Sequence, residues 1–267
     1  MEALLKKIKE CCIEAGNKIL TIYNQPFESL LKTDHSPVTK ADLISHEFIS
    51  SFLSTLDPVL PVLSEESIDK TLWDERKYWK EFWLIDPLDG TKEFIKKNGE
   101  FTINIALIRE GKPILGTVYA PAQKLLYFAA VGFGSFKQYD DKKLHPIKVI
   151  KHSRNSKWEI VASRSHLSPK LDLLLSHFKN YNLTNIGSSL KLCLVAEGKA
   201  HLYPRLSPTS EWDTAAAHCI VEQAGGFVVN LNLDPLRYNQ KNSLLNPYFL
   251  AAASLDDLNF LNSLNLD

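Results

Sequence analysis

Trp83-Leu84-Ile85-Asp86-Pro87-Leu88-Asp89-Gly90-Thr91 decides how the rest of the chain is read. An apolar strand over 82–86 ends in two carboxylates held one turn apart by a proline. Carboxylates at the end of a strand are oxygen ligands for a hard cation. Gly90 lets the backbone approach an anion closely, and the N–H groups opening the next turn are suited to a phosphate. Metal ligands and a phosphate cradle in one stretch point to metal-assisted phosphoryl chemistry.

Outward from this motif the pattern is helical on one side and stranded on the other. Leu4, Ile8, Cys11/Cys12, Ala15, Ile19 and Ile22 fall at helical spacing, which predicts a core-facing helix over 2–23. Thr39-Lys40-Ala41-Asp42 opens a second helix with Thr39 as cap and with Ile44, Phe48, Phe52 and Leu56 as its apolar face. Pro58 and Pro61 then break the chain before a short strand at Val62-Leu63. Downstream, Phe101–Arg109 reads as a strand, Glu110-Gly111-Lys112 as a hairpin turn, and Pro113–Tyr119 and Lys124–Ala130 as further antiparallel strands.

From about residue 150 helix and strand alternate: strand 160–162, helix 169–178, strand 183–186, helix 188–197, strand 200–203, helix 212–224, then strands 227–229 and 249–253. Gly225-Gly226 ends the helix that begins at Trp212-Asp213. The expectation is an α/β protein with an α+β half over 1–150, carrying an antiparallel sheet and most of the acidic residues, and an α/β half over 151–267. No flexible linker separates the halves, so they are expected to share an interface, a common place for a site.

Composition narrows the function. The chain has 267 residues, 45% hydrophobic and 23% charged, with Lys+Arg and Asp+Glu both 31. A zero net charge argues against nucleic-acid polymers as the main partner. No run reaches the ~18 apolar residues of a membrane span, and the charged N-terminus does not read as a signal peptide. Cys11, Cys12, Cys193 and Cys219 form no CxxC pair or zinc pattern, as expected of reduced, buried thiols in the cytoplasm.

Acidic residues recur at Asp42, Glu65-Glu66, Asp86/Asp89 and Asp213. Singly each has a plain reading: Asp42 as a first-turn charge, Glu65-Glu66 as a solvated pair, Asp213 as a helix N-cap. Converging without a cation, they would repel one another and raise their own pKa values; divalent metals relieve that repulsion.

Taken in order, Asp42, Glu65-Glu66, Asp86-Pro87-Leu88-Asp89-Gly90-Thr91 and Trp212-Asp213, followed after eleven residues by Gly225-Gly226, resemble the lithium-sensitive, Mg²⁺-dependent phosphatases of the inositol monophosphatase superfamily. Within it the chain is most similar to the bacterial CysQ branch, the 3′(2′),5′-bisphosphate nucleotidases. The similarity runs from Ser36-Pro37-Val38-Thr39 to Ser243-Leu244-Leu245-Asn246-Pro247 and includes Pro61–Glu66, Thr91–Lys96, Asn98–Thr102, Ser163-Arg164-Ser165-His166 and Gly187-Ser188-Ser189-Leu190-Lys191. Ala217 departs from the branch, where glycine is usual. Its methyl raises helix propensity and is expected to crowd the pocket slightly without loss of a ligand.

The resemblance implies a layered αβαβα sandwich of the inositol monophosphatase and sugar phosphatase type. It assigns Glu65, Asp86 and the Leu88 carbonyl to one Mg²⁺ and Asp86, Asp89 and Asp213 to a second, with two or three ions in all. Thr91 orients the attacking water, Asp42 accepts from Thr91, and Glu66 steadies the metal-side water. Glu65, Leu88, Asp89, Gly90, Thr91 and Asp213 also meet substrate, and Gly90 and Thr91 N–H groups hold the transferring phosphate. His166, Ser188, Lys191 and Arg205 line the nucleotide site, the two cations serving the retained phosphate. The activity so implied is hydrolysis of adenosine 3′,5′-bisphosphate to AMP and phosphate, with 3′-phosphoadenylyl sulfate as a further substrate, in sulfate assimilation. The alternatives are an inositol monophosphatase and a catalytically silent nucleotide or metal sensor. A monomer or homodimer is expected, cytoplasmic or peripheral on the cytoplasmic face of the inner membrane.

Overall fold

The computed structural model describes residues 1–31, 37–140, 142–153, 156–163, 169–256 and 258. In chain order the strands are β1 (Ser29–Leu31), β2 (Pro37–Thr39), β3 (Val62–Ser64), β4 (Glu81–Asp89), β5 (Thr102–Arg109), β6 (Lys112–Ala120), β7 (Leu125–Ala130), β8 (Gly134–Gln138), β9 (Leu144–Pro146), β10 (Trp158–Ser163), β11 (Tyr181–Ile186), β12 (Leu202–Arg205), β13 (Phe227–Asn230) and β14 (Phe249–Ala252). The α-helices are α1 (Glu2–Tyr23), α2 (Lys40–Ser54), α3 (Trp73–Arg76), α4 (Thr91–Ile95), α5 (Pro169–Leu175), α6 (Leu190–Ala196) and α7 (Ala215–Gln223).

Side chains on a strand alternate between faces, and the alternation sorts this chain into layers. Trp83 and Ile85 of β4 and Ile103, Ile105 and Leu107 of β5 pack with Ile8, Cys12 and Ile19 of α1 and Ile49 and Leu53 of α2. The intervening residues, Phe82, Leu84, Ala106 and Ile108, pack with Leu192 and Val195 of α6 and Cys219 and Ile220 of α7. The same cluster continues into Val161, Tyr203, Val228 and Ala251 of the second sheet. That sheet's other face, Ile160, Ala162, Leu202, Leu250 and Ala252, packs with Leu171, Leu174 and Leu175 of α5. The result is a five-layer αβαβα sandwich. Covering on both faces explains why β4 and β5 read as continuous apolar runs.

The first sheet has the order β3-β4-β5-β6-β7-β8-β9 and the second β11-β10-β12-β14-β13. The first is not wholly antiparallel, because β3 lies parallel to β4. β10 runs parallel to β11 and β12, while β14 is antiparallel to β12 and β13. β8 and β9 extend the meander beyond the strands read from the sequence. Their mostly half-buried or exposed residues, Gly-Ser-Phe-Lys-Gln and Leu-His-Pro, carry no apolar alternation, as suits an edge.

Three expectations change in detail. Helix α2 buries Ala41, Asp42, Ser45, Ile49 and Leu53, a face rotated one residue from Ile44, Phe48 and Phe52, because Asp42 and Ser45 turn inward to the β4 motif. β4 runs three residues past the expected end at 86, so Asp89 as well as Asp86 lies within the strand, across a register shift between the two. The helix expected over 212–224 is split: Glu211–Asp213 form a 3₁₀ turn and α7 starts at Ala215.

A glycine sets the distance between two of the layers. A Cβ on Gly116 of β6 would come within 2.2 Å of the Ala216 carbonyl oxygen, so glycine alone allows α7 to lie on the strand backbone. Gly116 pairs with Ala106 of β5, and Ala106 pairs with Leu84 of β4. All four cysteines are buried and unbridged. No helix among the described residues is long and apolar enough to cross a membrane.

Candidate active site

The C-terminal ends of β3 and β4, the turn before α6, the end of β12 and the Glu211–Asp213 turn surround one cleft of about 210 Å³. Glu65, Asp86, Leu88, Asp89, Gly90, Thr91, Ser188, Lys191, Arg205 and Asp213 all line it. Asp42 and Glu66 do not line it; Asp42 lies behind Thr91. His166 lies outside the described residues. Ala217 is buried in the helix layer between the sheets and does not crowd the cleft.

Asp86 is fully enclosed. Its Oδ1 accepts from Leu88 N at 3.1 Å, and its Oδ2 has no hydrogen-bond partner among the described residues. Burial pushes its carboxyl well above the usual range, and Glu65, Asp89 and Asp213 push the same way by repulsion. Asp213 is raised to about 6, chiefly by burial and next by Asp89, against the pull of its donors at Thr209 and Ser210. Those donors belong to the turn preceding α7; Thr214, not Asp213, is the N-cap residue of α7. One oxygen from each of Asp86, Asp89 and Asp213 lies within 4.8 Å of the others. An orphaned buried carboxylate oxygen, repulsion among three acids and an all-oxygen donor set fit a hard divalent cation. Pro87 O accepts from Ser45 Oγ at 2.8 Å. The next carbonyl, Leu88 O, lies on the Thr91 side, 3.5 Å from its hydroxyl.

Asp42 faces Thr91 through a built contact. Thr91 Oγ1 donates to Asp42 Oδ1 at 3.1 Å, while Asp42 Oδ2 accepts from Thr39 N and Thr39 Oγ1, both at 2.7 Å. Burial raises the Asp42 carboxyl and the Thr39 donors oppose it; the charge of Glu66 adds to the rise. Gly90 precedes α4 with φ +90°, and a Cβ there would sit 3.2 Å from the Glu100 carbonyl oxygen. Glycine is the residue that takes this backbone conformation without strain.

In the same cleft, Lys191 is buried and donates to the carbonyls of Ser188 and Ile186. Burial lowers its ammonium to about 8 despite the raising influence of Asp89. Arg205 is held by the carbonyls of Ser207, at 3.2 Å, and Pro208, at 2.6 Å. Ser188 has φ 47°, faces Thr102 Oγ1 at 3.2 Å and does not cap α6; Ser189 takes that place.

Sequence reasoning passed over Thr102, Asn104 and Ser189. Ser189 N and Oγ donate to Asp89 Oδ2 at 2.7 and 2.8 Å, and Asn104 Nδ2 donates to Ser189 Oγ at 2.8 Å. The signal was present in β5: Thr102 and Asn104 are polar, two apart, in an otherwise apolar buried strand. They pair with Asp89 and Asp86 across the ladder.

A model of the inositol monophosphatase family matches residues 1–261. The 3′(2′),5′-bisphosphate nucleotidase CysQ of Salmonella typhimurium is 46% identical over 248 residues, covering 92% of this chain and 98% of that protein. The protein of the same name from Escherichia coli K12 is 45% identical over the same length. Among solved structures, CysQ from Bacteroides thetaiotaomicron, a bacterial member of the inositol monophosphatase family, superposes with a TM-score of 0.84 at 41% identity, covering 95% of this chain and 98% of that one. A Thermotoga maritima IMPase, at 22% identity and a TM-score of 0.80, shares the fold over 98% of both chains.

Proposed function

The chain belongs to the inositol monophosphatase family, and from that premise we propose that it is a Mg²⁺-dependent 3′(2′),5′-bisphosphate nucleotidase. It hydrolyses the 3′-phosphate of adenosine 3′,5′-bisphosphate to AMP and phosphate, recycling a by-product of sulfate assimilation. The observation that carries the reading is the meeting of two charge groups in one cleft. Asp86, Asp89 and Asp213 converge within 4.8 Å of one another, and Lys191 and Arg205 line the same cleft.

Glu65, Asp86, Leu88 O, Asp89 and Asp213 would hold two or three Mg²⁺ ions. When bound, these ions supply Lewis-acid activation of water and neutralise charge on the phosphoryl oxygens. The chain's own groups do the rest. The Thr91 hydroxyl donates a hydrogen bond to Asp42, which leaves its lone pairs to orient the attacking water by accepting a hydrogen bond from it. Asp42 keeps Thr91 in that rotamer without itself lining the cleft. The N–H groups of Gly90 and Thr91 open α4, where a helix leaves donors unpaired, and receive the transferring phosphate. Lys191 and Arg205 hold the phosphate that is retained, so a bisphosphate is preferred to a monophosphate. Four unbridged, buried cysteines accord with a reducing compartment, and the cytoplasm is the proposed location.

The test is phosphate release from a panel of adenosine 3′,5′-bisphosphate, 3′-phosphoadenylyl sulfate, inositol monophosphate and fructose bisphosphate, with Mg²⁺ and with chelator. Mg²⁺-dependent turnover highest on the adenosine bisphosphate is expected. Highest turnover on inositol monophosphate would replace the nucleotide reading, and binding without turnover would make the protein a sensor.

A further inference from the structure

We propose that Ser189 is a positioning residue for the reaction: its hydroxyl ties Asp89 to Asp213 in the arrangement that receives the cations. The proposal rests on the metal-dependent reading above. Ser189 is buried and stands as the N-cap of α6, where a serine ordinarily turns its oxygen to a free N–H of the first turn. Here the side chain makes no cap bond. Its Oγ lies instead 2.8 Å from Asp89 Oδ2 and 2.6 Å from the Asp213 carbonyl oxygen. The single hydroxyl proton serves one of these acceptors at a time, while Asn104 Nδ2, donating at 2.8 Å, fixes the oxygen between them. The Ser189 N–H adds a second bond to Asp89 Oδ2 at 2.7 Å.

One oxygen therefore joins β4, β5, the turn before α6 and the Glu211–Asp213 turn, segments that lie far apart in the chain. Two consequences follow for the acids. Asp89 has Oδ2 engaged by Ser189, with Asn104 Nδ2 at 3.4 Å and Thr102 Oγ1 at 3.5 Å beside it, which holds its carboxylate in place. Asp213 has its main chain held, so its carboxylate keeps a fixed distance from Asp89. A helix that gives up its cap for contacts at a site breaks a local rule where function explains the departure. Ser188, the neighbour, differs: its hydroxyl meets Thr102 Oγ1 and neither aspartate.

The experiment is calorimetric titration of the chelator-treated full-length protein with Mn²⁺ alone, comparing Ser189→Ala, Ser189→Thr and Ser188→Ala with the parent chain. Groups that orient metal ligands typically cost about 10–100-fold in affinity when removed. Ser189→Ala is expected to weaken Mn²⁺ binding by about that factor. Ser189→Thr, which keeps the hydroxyl, and Ser188→Ala should stay within a few-fold of the parent. A merely structural role would lower the melting temperature of Ser189→Ala without moving its Mn²⁺ affinity. Parent-like Mn²⁺ affinity in Ser189→Ala overturns the proposal, as does an equal loss in Ser189→Thr. Should the alanine variant fail to fold, Ser189→Cys keeps the volume with a weak donor and is expected to show the same loss. A parent chain that takes up no Mn²⁺ overturns the metal reading first, without reference to any variant.

Discussion

Replacing Lys191 by methionine is expected to make the metal-free protein more stable at neutral pH while weakening its hold on a bisphosphate. The ammonium is buried in the cleft wall, and burial lowers it from 10.5 to about 8. That displacement corresponds to roughly 3 kcal/mol of destabilisation by the charged form. Methionine removes the charge and keeps most of the apolar stem. It also removes a donor from the carbonyls of Ser188 and Ile186, at about 1 kcal/mol or less each. The net gain at pH 7 is then about 1–2 kcal/mol.

The sign with pH is fixed by the direction of the shift. Below about 8 the lysine is charged in both folded and unfolded states, and the variant's advantage is full. Between about 8 and 10.5 the unfolded chain binds more protons than the folded one, so the parent gains stability and the advantage shrinks. Urea unfolding in chelator at neutral pH and above pH ~9, parent against variant, reads the difference directly and cancels the titration of tyrosines and cysteines common to both. A variant less stable than the parent at neutral pH, or an advantage independent of pH, would refute the account of Lys191 as a cation held at a cost.

Removal of a proton from the acidic wall leads to the second prediction. Asp86 and Asp213 have folded pKa values above their unfolded ones, so their contribution to metal-free stability is present in acid and lost as pH rises through about 6 for Asp213. The melting-temperature increase produced by Mg²⁺ should therefore grow from pH 5 to 7; an increase constant with pH contradicts the assignment. Thr91→Val should lower kcat by about 10²-fold or more with Mn²⁺ affinity retained, and a loss of only a few-fold would remove Thr91 from water orientation. Gly90→Ala puts a Cβ 3.2 Å from the Glu100 oxygen at φ +90°. It is expected to cost about 1–3 kcal/mol, read as a drop of about 2–4 °C in melting temperature per kcal/mol; an unchanged melting temperature would show that the turn relaxes freely.

Much of the architecture was legible because it is written in apolar periodicity. The helix over 2–23, the β5–β6 hairpin and the alternating second half follow from side-chain spacing, which tertiary packing obeys. The departures occur where polar side chains were drawn inward by the site. Asp42 and Ser45 rotate α2 by one residue, which no hydrophobic pattern reports. The extension of β4 to Asp89 depends on its pairing with Thr102 and Asn104, a partner choice invisible within the motif itself. Singly the acids had plain readings, and it was their order along the chain, matched to a family pattern, that grouped them; the fold brings Asp86, Asp89 and Asp213 within 4.8 Å of one another. Ser189 was not readable, because a serine before a helix looks like a cap, and only the fold brings Asp213 to it.

Gly116 lies among apolar residues of the core, yet its effect reaches the acidic cluster through the helix that rests on it. Asp86 stands two residues beyond Leu84, in the ladder row Gly116–Ala106–Leu84, and Asp213 stands three residues before Ala216, whose carbonyl rests on Gly116. A side chain at 116 would lift α7 from the sheet and carry Asp213 away from Asp86. The approach of α7 to the sheet, and with it the path from Ala216 back to Asp213, thus rests on a missing methyl in the middle of a strand.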